Sequence, residues 1–196
     1  MSKIVLFENV SLDGVMQAPG RPDEDRRGGF EHGGWAMPYA DAVQGEVASA
    51  SMAKTGGLLL GRRTYEDLLA YWNTTDSPFK DALNNTPKYV VSTTLTEPLP
   101  WPNSTLLAGD GLEAVSRLRA QPGNDLVVLG SGELAQSLMR GGLVDEYLLL
   151  INPLVLGTGR RLFTDGAALT QLRLVETKVT TTGVIMATYA AGTDAS

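Results

Sequence analysis

The sequence has no cysteine and a single histidine, His32, among its 196 residues. The absence of cysteine excludes disulfide bonds, zinc–thiolate sites and thiol nucleophiles. No cluster of carboxylates at metal-ligand spacing accompanies the histidine, so no metal site is expected. A Ser-His-Asp triad would have to use His32 from within an irregular loop, and the sequence therefore argues against triad hydrolases.

Long apolar runs and an excess of positive charge are also missing. No run approaches the ~20 apolar residues of a membrane-spanning helix, and residues 3–7 enter a strand pattern without a secretion signal. The net charge is −6, which argues against nucleic-acid binding because few cations are free to displace counter-ions. Arginines do cluster at 62–63 and 160–161. We therefore expect a cytoplasmic protein that binds a small anionic molecule, with no nucleic-acid or membrane partner.

Strand and helix patterns alternate through most of the chain, and no repeat or linker divides it. This order predicts one α/β domain over residues 1–196, with a mostly parallel sheet covered by helices on both faces. Residues 172–180 and 184–190 predict an antiparallel hairpin at its edge. Residues 15–38 form a long Gly- and Pro-rich loop, which is a functional lid, an interface arm or a disordered segment. Residues 192–196 are expected to be frayed.

The stretch from 125 to 163 dominates the pattern. A short apolar strand at 126–129 leads into Gly130-Ser131-Gly132 and then into an amphipathic helix. A strand, a glycine turn and a helix N-terminus together predict a phosphate site, since free amides and the helix dipole both favour an anion. The turn formally matches G-x-G-x-x-G/A. It comes late in the chain and lacks an acid closing the next strand, so a Rossmann domain is not favoured.

Two further turns follow buried strands. Residues 61–64, Gly-Arg-Arg-Thr, offer forked phosphate donors and a helix cap, or else only a surface helix start with solvated arginines. Residues 92–94, Ser-Thr-Thr, offer hydroxyl groups to a ribose or a 2′-phosphate, or else form a polar turn. Ligands of parallel sheets bind outside the carboxyl ends of the strands. The turns at 61–64, 92–94 and 130–134 are therefore predicted to converge.

Two other polar features each allow two interpretations. Asp13, in the sequence Ser-Leu-Asp-Gly, is either a turn residue that bonds its own backbone or a carboxylate that faces the ligand. Residues 157–161, Gly-Thr-Gly-Arg-Arg, either shape the ligand cleft or form a flexible turn.

Four motifs in this order resemble the dihydrofolate reductase-like superfamily, and within it the branch related to the RibD C-terminal domain of riboflavin biosynthesis. They are NVSLDG at 9–14, LLLGRRTYE at 58–66, KYVVSTTL at 88–95 and VVLGSGELAQSLMRGGLVDEYLLLINPLVLGTGRRLF at 127–163. The resemblance implies a three-layer fold with a mixed sheet of about eight strands, and NADPH as the hydride donor. It also implies a homodimer, with an interface in the last third of the chain.

The resemblance assigns the cofactor to the three turns and to the first strand. Phosphates would be held by 62–64, the 2′-phosphate would lie near 92–93, 130–134 would cradle the pyrophosphate, and 9–16 would pass beside the nicotinamide. The implied cofactor residues are Val10, Gly61, Arg62, Arg63, Thr64, Ser92, Thr93, Gly130, Ser131, Gly132, Glu133 and Leu134.

The substrate side is less fully specified by the motifs. The resemblance places Asp13 there, and Glu46 is the carboxylate nearest to the first-helix acid of dihydrofolate reductases; either is a hypothesis for proton handling. Trp35 and Tyr39 are hypotheses for a stacking surface. Val15 stands where the riboflavin-pathway enzymes carry Lys or Arg, which disfavours their ribitylamino-pyrimidine phosphate substrate.

These features together predict a stand-alone NADPH-dependent reductase. Its substrate would be a small pteridine-like, pyrimidine-like or other carbonyl or imine compound. Two alternatives stay open: a non-catalytic nucleotide-binding protein that keeps the fold, and a genuine dihydrofolate or pteridine reductase.

Overall fold

Eight strands form one sheet in the computed structural model, which describes residues 1–192 apart from the side chain of Pro78. In chain order they are β1 (Ile4–Ser11), β2 (Thr55–Gly61), β3 (Lys88–Val91), β4 (Ser104–Leu107), β5 (Asp125–Leu129), β6 (Glu146–Asn152), β7 (Leu172–Val179) and β8 (Ile185–Ala191). Their spatial order is β4-β3-β2-β5-β1-β6-β8-β7. Only β8 runs against its neighbours, β6 and β7. The mostly parallel sheet and the C-terminal hairpin predicted from the sequence are confirmed.

Five α-helices flank this sheet: α1 (Ala42–Lys54), α2 (Arg62–Asn73), α3 (Pro78–Asn85), α4 (Gly111–Ala120) and α5 (Gly132–Arg140). Two short 3₁₀ helices, Arg27–Gly29 and Met37–Tyr39, lie in the loop between β1 and α1. Within residues 1–192, no helix has the length and apolar character needed to cross a bilayer. Of the tail expected to fray, Gly192 is described and its amide donates to the Gln171 carbonyl at 2.9 Å. The other four residues lie outside the described chain.

Strand β1 shows how the layers form. Its side chains alternate between two buried faces, as the two-residue period of a strand requires. Ile4 and Leu6 pack with Leu138 of α5 on one face. Phe7 points to the other face and packs with Val43 of α1. The sheet is therefore buried on both sides, with α4 and α5 on one face and α1 to α3 on the other.

Helix α3 lies within residues 73–86, a segment whose polar, turn-rich sequence does not predict a helix. Ser77 caps the helix by accepting the Lys80 amide at 3.3 Å. Leu83 is fully buried and anchors the helix to the core. At its other end the buried Lys88 ammonium donates to the Leu83 carbonyl at 2.6 Å. The apolar stripe of this eight-residue helix, Phe79, Ala82 and Leu83, spans little more than one turn and stands within a polar segment.

The long loop at 15–38 is an ordered part of the fold. Val15, Phe30 and Trp35 are buried together in a small apolar cluster of their own. The indole nitrogen of Trp35 donates to the Gln17 carbonyl at 2.7 Å. Of the interpretations left open by the sequence, disorder is therefore wrong.

Candidate active site

The three turns singled out in the sequence lie along one groove at the carboxyl edge of the sheet. It is lined by 61–64 after β2, 92–94 after β3 and 131–134 after β5, together with 110–112 at the start of α4. Its volume is about 490 Å³. The convergence expected from the parallel strands is therefore present in the structure.

A side-chain hydrogen bond joins two of these turns. Ser131 adopts a left-handed backbone conformation with φ of 62°, directly after Gly130 with φ of 58°. This conformation turns the chain sharply from β5 into α5. The Ser131 hydroxyl oxygen accepts the Gly61 amide at 2.9 Å. The turn that starts α2 and the turn that starts α5 are thus held together as one surface.

Three arginines meet at the N-terminal end of α5. Nη1 atoms of Arg27, Arg63 and Arg160 lie 3.1, 3.1 and 2.8 Å from the same carboxylate oxygen of Glu133. Burial alone would raise the pKa of Glu133, but hydrogen bonds from Arg160 and Arg27 outweigh it and lower the pKa. Three guanidinium groups beside a helix N-terminus form an environment suited to an anion.

A larger cleft of about 1020 Å³ adjoins this groove. Its walls come from the 16–27 segment, the exposed side of α2 and the 130–136 segment. The groove and the cleft share Arg27, Arg63, Thr64, Ser131, Gly132 and Glu133. They therefore form one continuous depression with a narrow part and a wide part.

Gln17 joins two loops into a single wall of the cleft. Its amide nitrogen donates to the carbonyls of Asp25 and Arg27 at 3.2 and 2.9 Å. Its amide oxygen accepts the Arg160 backbone amide at 3.0 Å. The glycine-rich segment at 157–161 is therefore a shaped part of the cleft, the first of its two interpretations.

Glu8 of β1 also lines the cleft, although its side chain belongs to a buried residue that is only 4% exposed. Burial raises the pKa of Glu8 to about 8. Nothing in the motifs pointed to this residue. One signal was present, because an acid occupies an inward position of an alternating strand, between Leu6 and Val10.

Two aromatic side chains of α2 lie in the same cleft. Tyr71 and Trp72 both line it, and their rings meet edge to face at 5.3 Å between centroids. The Arg21 guanidinium lies 4.3 Å from the centre of the Tyr71 ring. Arg21 is fixed there by Asp67 at 2.6 Å. The two rings therefore add aromatic surface to the cleft.

Asp13 lies in an environment that keeps its carboxylate ionised, whereas a proton donor must hold a proton. Its carboxylate accepts the Ser11 hydroxyl at 2.7 Å and the amides of Leu156 and Gly157 at 3.0 and 2.9 Å. These bonds, that of Ser11 foremost, lower the pKa of Asp13 well below its usual range. Asp13 lies outside the lining of the cleft. Asp13 therefore fixes the distant 156–157 turn rather than its own backbone, and its position does not support the role of proton donor.

The other four residues predicted near the reacting groups also lie away from the cleft. Glu46 is exposed on α1, a helix that contributes nothing to the lining. Trp35 is buried beneath the 15–38 loop, because its ring fills that loop's own apolar cluster. Tyr39 packs against the sheet beside α1, and Val10 is part of the main core. The stacking and cofactor roles expected of these residues are not supported by their positions.

The remaining predicted cofactor residues all line the depression. Arg21, Glu24, Arg27 and Arg160 line it too and were not assigned from the sequence. Across residues 1–192, no three His, Asp or Glu side chains come together in a way that could hold a metal ion.

The family model of the RibD C-terminal domain matches residues 2–186. The chain belongs to this family. It is 31% identical over 138 residues to the uncharacterised protein YyaP of Bacillus subtilis (strain 168). The match covers 67% of this chain and 72% of YyaP. The chain is 27% identical over 179 residues to YwjB of the same strain, covering 90% and 91% of the two chains.

Among solved structures, this chain is similar to a candidate riboflavin biosynthesis protein from Shewanella sp. PV-4. The TM-score is 0.74 at 26% identity, with 98% of this chain and 100% of the other covered. The fold is also that of dihydrofolate reductase from Enterococcus faecalis, solved with NADP(H), with a TM-score of 0.60 at 13% identity and 97% of each chain covered. The reductase-type fold predicted from the motifs is thereby confirmed.

Proposed function

We propose that the chain is an NADPH-dependent reductase that transfers hydride to a small pteridine-like, pyrimidine-like or other carbonyl or imine substrate. The observation that carries the proposal is the joined groove and cleft. The narrow part gathers phosphate-binding groups, and the wide part presents aromatic rings and a buried acid. A dinucleotide and a planar substrate require these two parts side by side.

The residues of the narrow groove fit a dinucleotide. Phosphates would replace Glu133 as the partner of Arg27, Arg63 and Arg160 and would also meet the first amides of α5. Ser92 and Thr93, at the far side of the groove, offer hydroxyl groups near which a 2′-phosphate would lie. The bound cofactor would supply the hydride, and the protein would orient it and exclude water.

The first helix supports a substrate other than folate. The resemblance to dihydrofolate reductases implies a carboxylate on this helix that hydrogen-bonds the pterin. Glu46 is the only acid of α1 and it is exposed, while the cleft is lined from β1, α2 and the loops. Folate reduction would therefore need a different acid, and competitive binding of folate analogues would test that alternative directly.

Titration with NADPH and separately with NADH tests the proposal. Trp72 lines the cleft, so quenching of its fluorescence reports binding. We expect saturable binding that prefers NADPH and that weakens at least tenfold when both Arg63 and Arg160 become Ala, because two charge-assisted contacts are lost. Arg117→Ala is the matched control, since Arg117 pairs with Glu113 on α4 and lines neither the groove nor the cleft.

The result of this titration separates the two main classes of function. Binding followed by oxidation of NADPH with a carbonyl or imine compound supports the reductase. Binding without turnover across pteridines, pyrimidines and simple imines favours a nucleotide-binding protein without catalysis. Failure of both nucleotides to bind at millimolar concentration contradicts the proposal.

A further inference from the structure

Glu8 is a buried carboxylic acid for which the proposed cofactor site has no use. It lies on the face of β1 that carries Ile4, Leu6 and Val10, and its side chain lines the wide cleft. We propose that Glu8 is the proton donor of the reduction, and that the substrate therefore places an imine nitrogen or a carbonyl oxygen beside β1. This inference rests on the proposed reductase function.

The carboxyl group of Glu8 has a free oxygen. Its Oε1 accepts the Asn9 amide at 3.2 Å. Among the described residues, no donor reaches Oε2 and no basic side chain pairs with Glu8. Because the residue lines the cleft, that oxygen is left to a ligand. A neutral carboxyl there can donate a hydrogen bond to an acceptor atom of the substrate.

The charged groups around the cleft leave Glu8 uncompensated. Arg21 is held by Asp67 at 2.6 Å, and Arg27 is held by Asp25 at 2.5 Å. Arg63 and Arg160 are held by Glu133, and Arg62 by Glu66. Arg26 and Arg161 also line the cleft, and Arg161 points to the Asp13 carbonyl at 2.8 Å. The arginines with named partners thus neutralise other carboxylates.

Glu24 is a partly buried acid of the cleft and the charged group that acts on Glu8. Its carboxylate accepts the amides of Gly20 and Arg21 at 2.7 and 3.0 Å. Its negative charge disfavours ionisation of Glu8, adding to the effect of burial. Glu24 is therefore occupied by the backbone as an acceptor, while Glu8 is kept neutral and available. Two acids with such different partners have different roles.

The strand register brings Glu8 next to the proposed cofactor turn. Phe7 pairs with Leu129 of β5, and the Phe7 carbonyl accepts the Gly130 amide at 3.4 Å. Glu8 is the next residue of β1. The acid and the glycine turn therefore occupy adjacent positions on neighbouring strands, and both line the same cleft.

The reaction that this placement supports is balanced. Hydride adds to the carbon of a C=N or C=O bond, and the electron pair of that double bond moves to the nitrogen or oxygen. The new N–H or O–H bond forms with the proton of the Glu8 carboxyl, whose O–H bond breaks. Glu8 is left as a carboxylate and takes a proton from solvent. One NADPH and one proton are consumed, and NADP⁺ and the two-electron-reduced substrate result.

Carbon-13 NMR of protein labelled at the glutamate carboxyl tests the proposal without a substrate. In the ligand-free protein we expect one carboxyl signal, absent from Glu8→Gln, with a midpoint near pH 8. Saturation with NADP⁺ should lower this midpoint, because a cationic nicotinamide ring beside Glu8 favours the carboxylate. By linkage, NADP⁺ should bind roughly tenfold more tightly above the midpoint for each unit by which it falls. NADPH, whose dihydronicotinamide ring carries no charge, should not show this gain.

Two variants make the assignment secure. Glu31→Gln, an exposed acid outside the cleft, should keep the pH dependence of NADP⁺ binding, and Glu8→Gln should lose it. If Glu8→Gln does not fold by circular dichroism, Glu8→Asp removes the same signal from the glutamate set and keeps an acid on β1.

The outcomes separate the two proposals. Nucleotide binding together with a Glu8 midpoint at ordinary carboxyl pH, or one that NADP⁺ leaves unchanged, overturns the proton-donor role and leaves the reductase standing. Absence of binding by either nucleotide overturns the reductase and the proton-donor role with it.

Discussion

Glu8 was accessible to sequence reasoning only through its position. Its neighbours at two-residue spacing, Leu6 and Val10, are apolar and buried, so the acid interrupts a core face. Asp13 stood in a more conspicuous motif, yet its three hydrogen bonds hold turns together. The motif around Asp13 indicated a turn, and the structure shows one. That the Glu8 carboxyl is buried without a charged partner within residues 1–192 is visible only once the strands are packed.

Replacing Glu8 should change how stability depends on pH. The pKa of Glu8 is about 8 in the fold against 4.5 unperturbed, so between these values the folded state holds a proton that the unfolded state has lost. Stability of the wild type should therefore fall as pH rises through this window, by up to about 1.4 kcal/mol per pH unit. Glu8→Gln should remove this slope and be the more stable protein at pH 9.

Urea unfolding at pH 5, 7 and 9 measures the effect. Glu31→Gln serves as the control and should follow the wild type at each pH. If the wild type and Glu8→Gln lose stability in parallel, Glu8 is ionised in the fold at neutral pH and its burial has been compensated by another group.

At the scale of single elements, the α5 turn was predictable and α3 was not. A strand that ends in Gly-Ser-Gly before an amphipathic helix is a local pattern. It can be recognised from neighbouring residues alone, without knowledge of contacts between segments. Helix α3 depends on Leu83 reaching the core and on Lys88 returning to its end, which are contacts between segments. The sequence likewise could not show that Arg27 and Arg160, 133 residues apart, meet at α5.

Glu133 is expected to oppose the nucleotide, although it belongs to the turn that binds it. Its carboxylate holds the three arginines that phosphates would take. Glu133→Gln should therefore raise NADPH affinity by roughly fivefold, since exposed ion pairs are worth up to about 1 kcal/mol. The change is measured by the fluorescence titration, with Glu113→Gln on α4 as the control. A loss of affinity would instead indicate that Glu133 itself contacts the cofactor.

Lys88 fixes the C-terminal end of α3 from the start of β3. Its ammonium donates to the Leu83 and Thr86 carbonyls at 2.6 and 2.7 Å while fully buried. Lys88→Met should cost about 3 kcal/mol in the free energy of unfolding, because buried acceptors lose their donor. Chemical denaturation checks this value. Lys54→Met, at an exposed position of α1, should change the free energy little; equal effects of the two substitutions would contradict the role of Lys88.

On the scale of the whole molecule, the sheet has an open edge at β7. Within residues 1–192 this strand pairs only with β8, and Leu174, Val175 and Val179 on it are 51%, 51% and 67% exposed. Unpaired strand edges with apolar side chains readily pair with another chain. We propose that two copies associate through β7, consistent with the homodimer that the resemblance implies.

Analytical ultracentrifugation tests this association. We expect a dimer for the wild type and a monomer for Leu174→Glu combined with Val179→Glu, because like charges would face each other across the edge. Val155→Glu changes a comparably exposed apolar residue in the loop after β6 and should remain dimeric. A monomeric wild type at micromolar concentration would contradict the proposal.

The six residues shared by the groove and the cleft tie the two ligands of the proposed reaction together. A ligand in the narrow groove would lie beside Arg27, Arg63 and Glu133, which also line the cleft proposed for the substrate. The first ligand to bind therefore changes the surface that the second ligand meets. Thermodynamic reciprocity requires that the substrate change the affinity for the nucleotide by the same factor by which the nucleotide changes the affinity for the substrate.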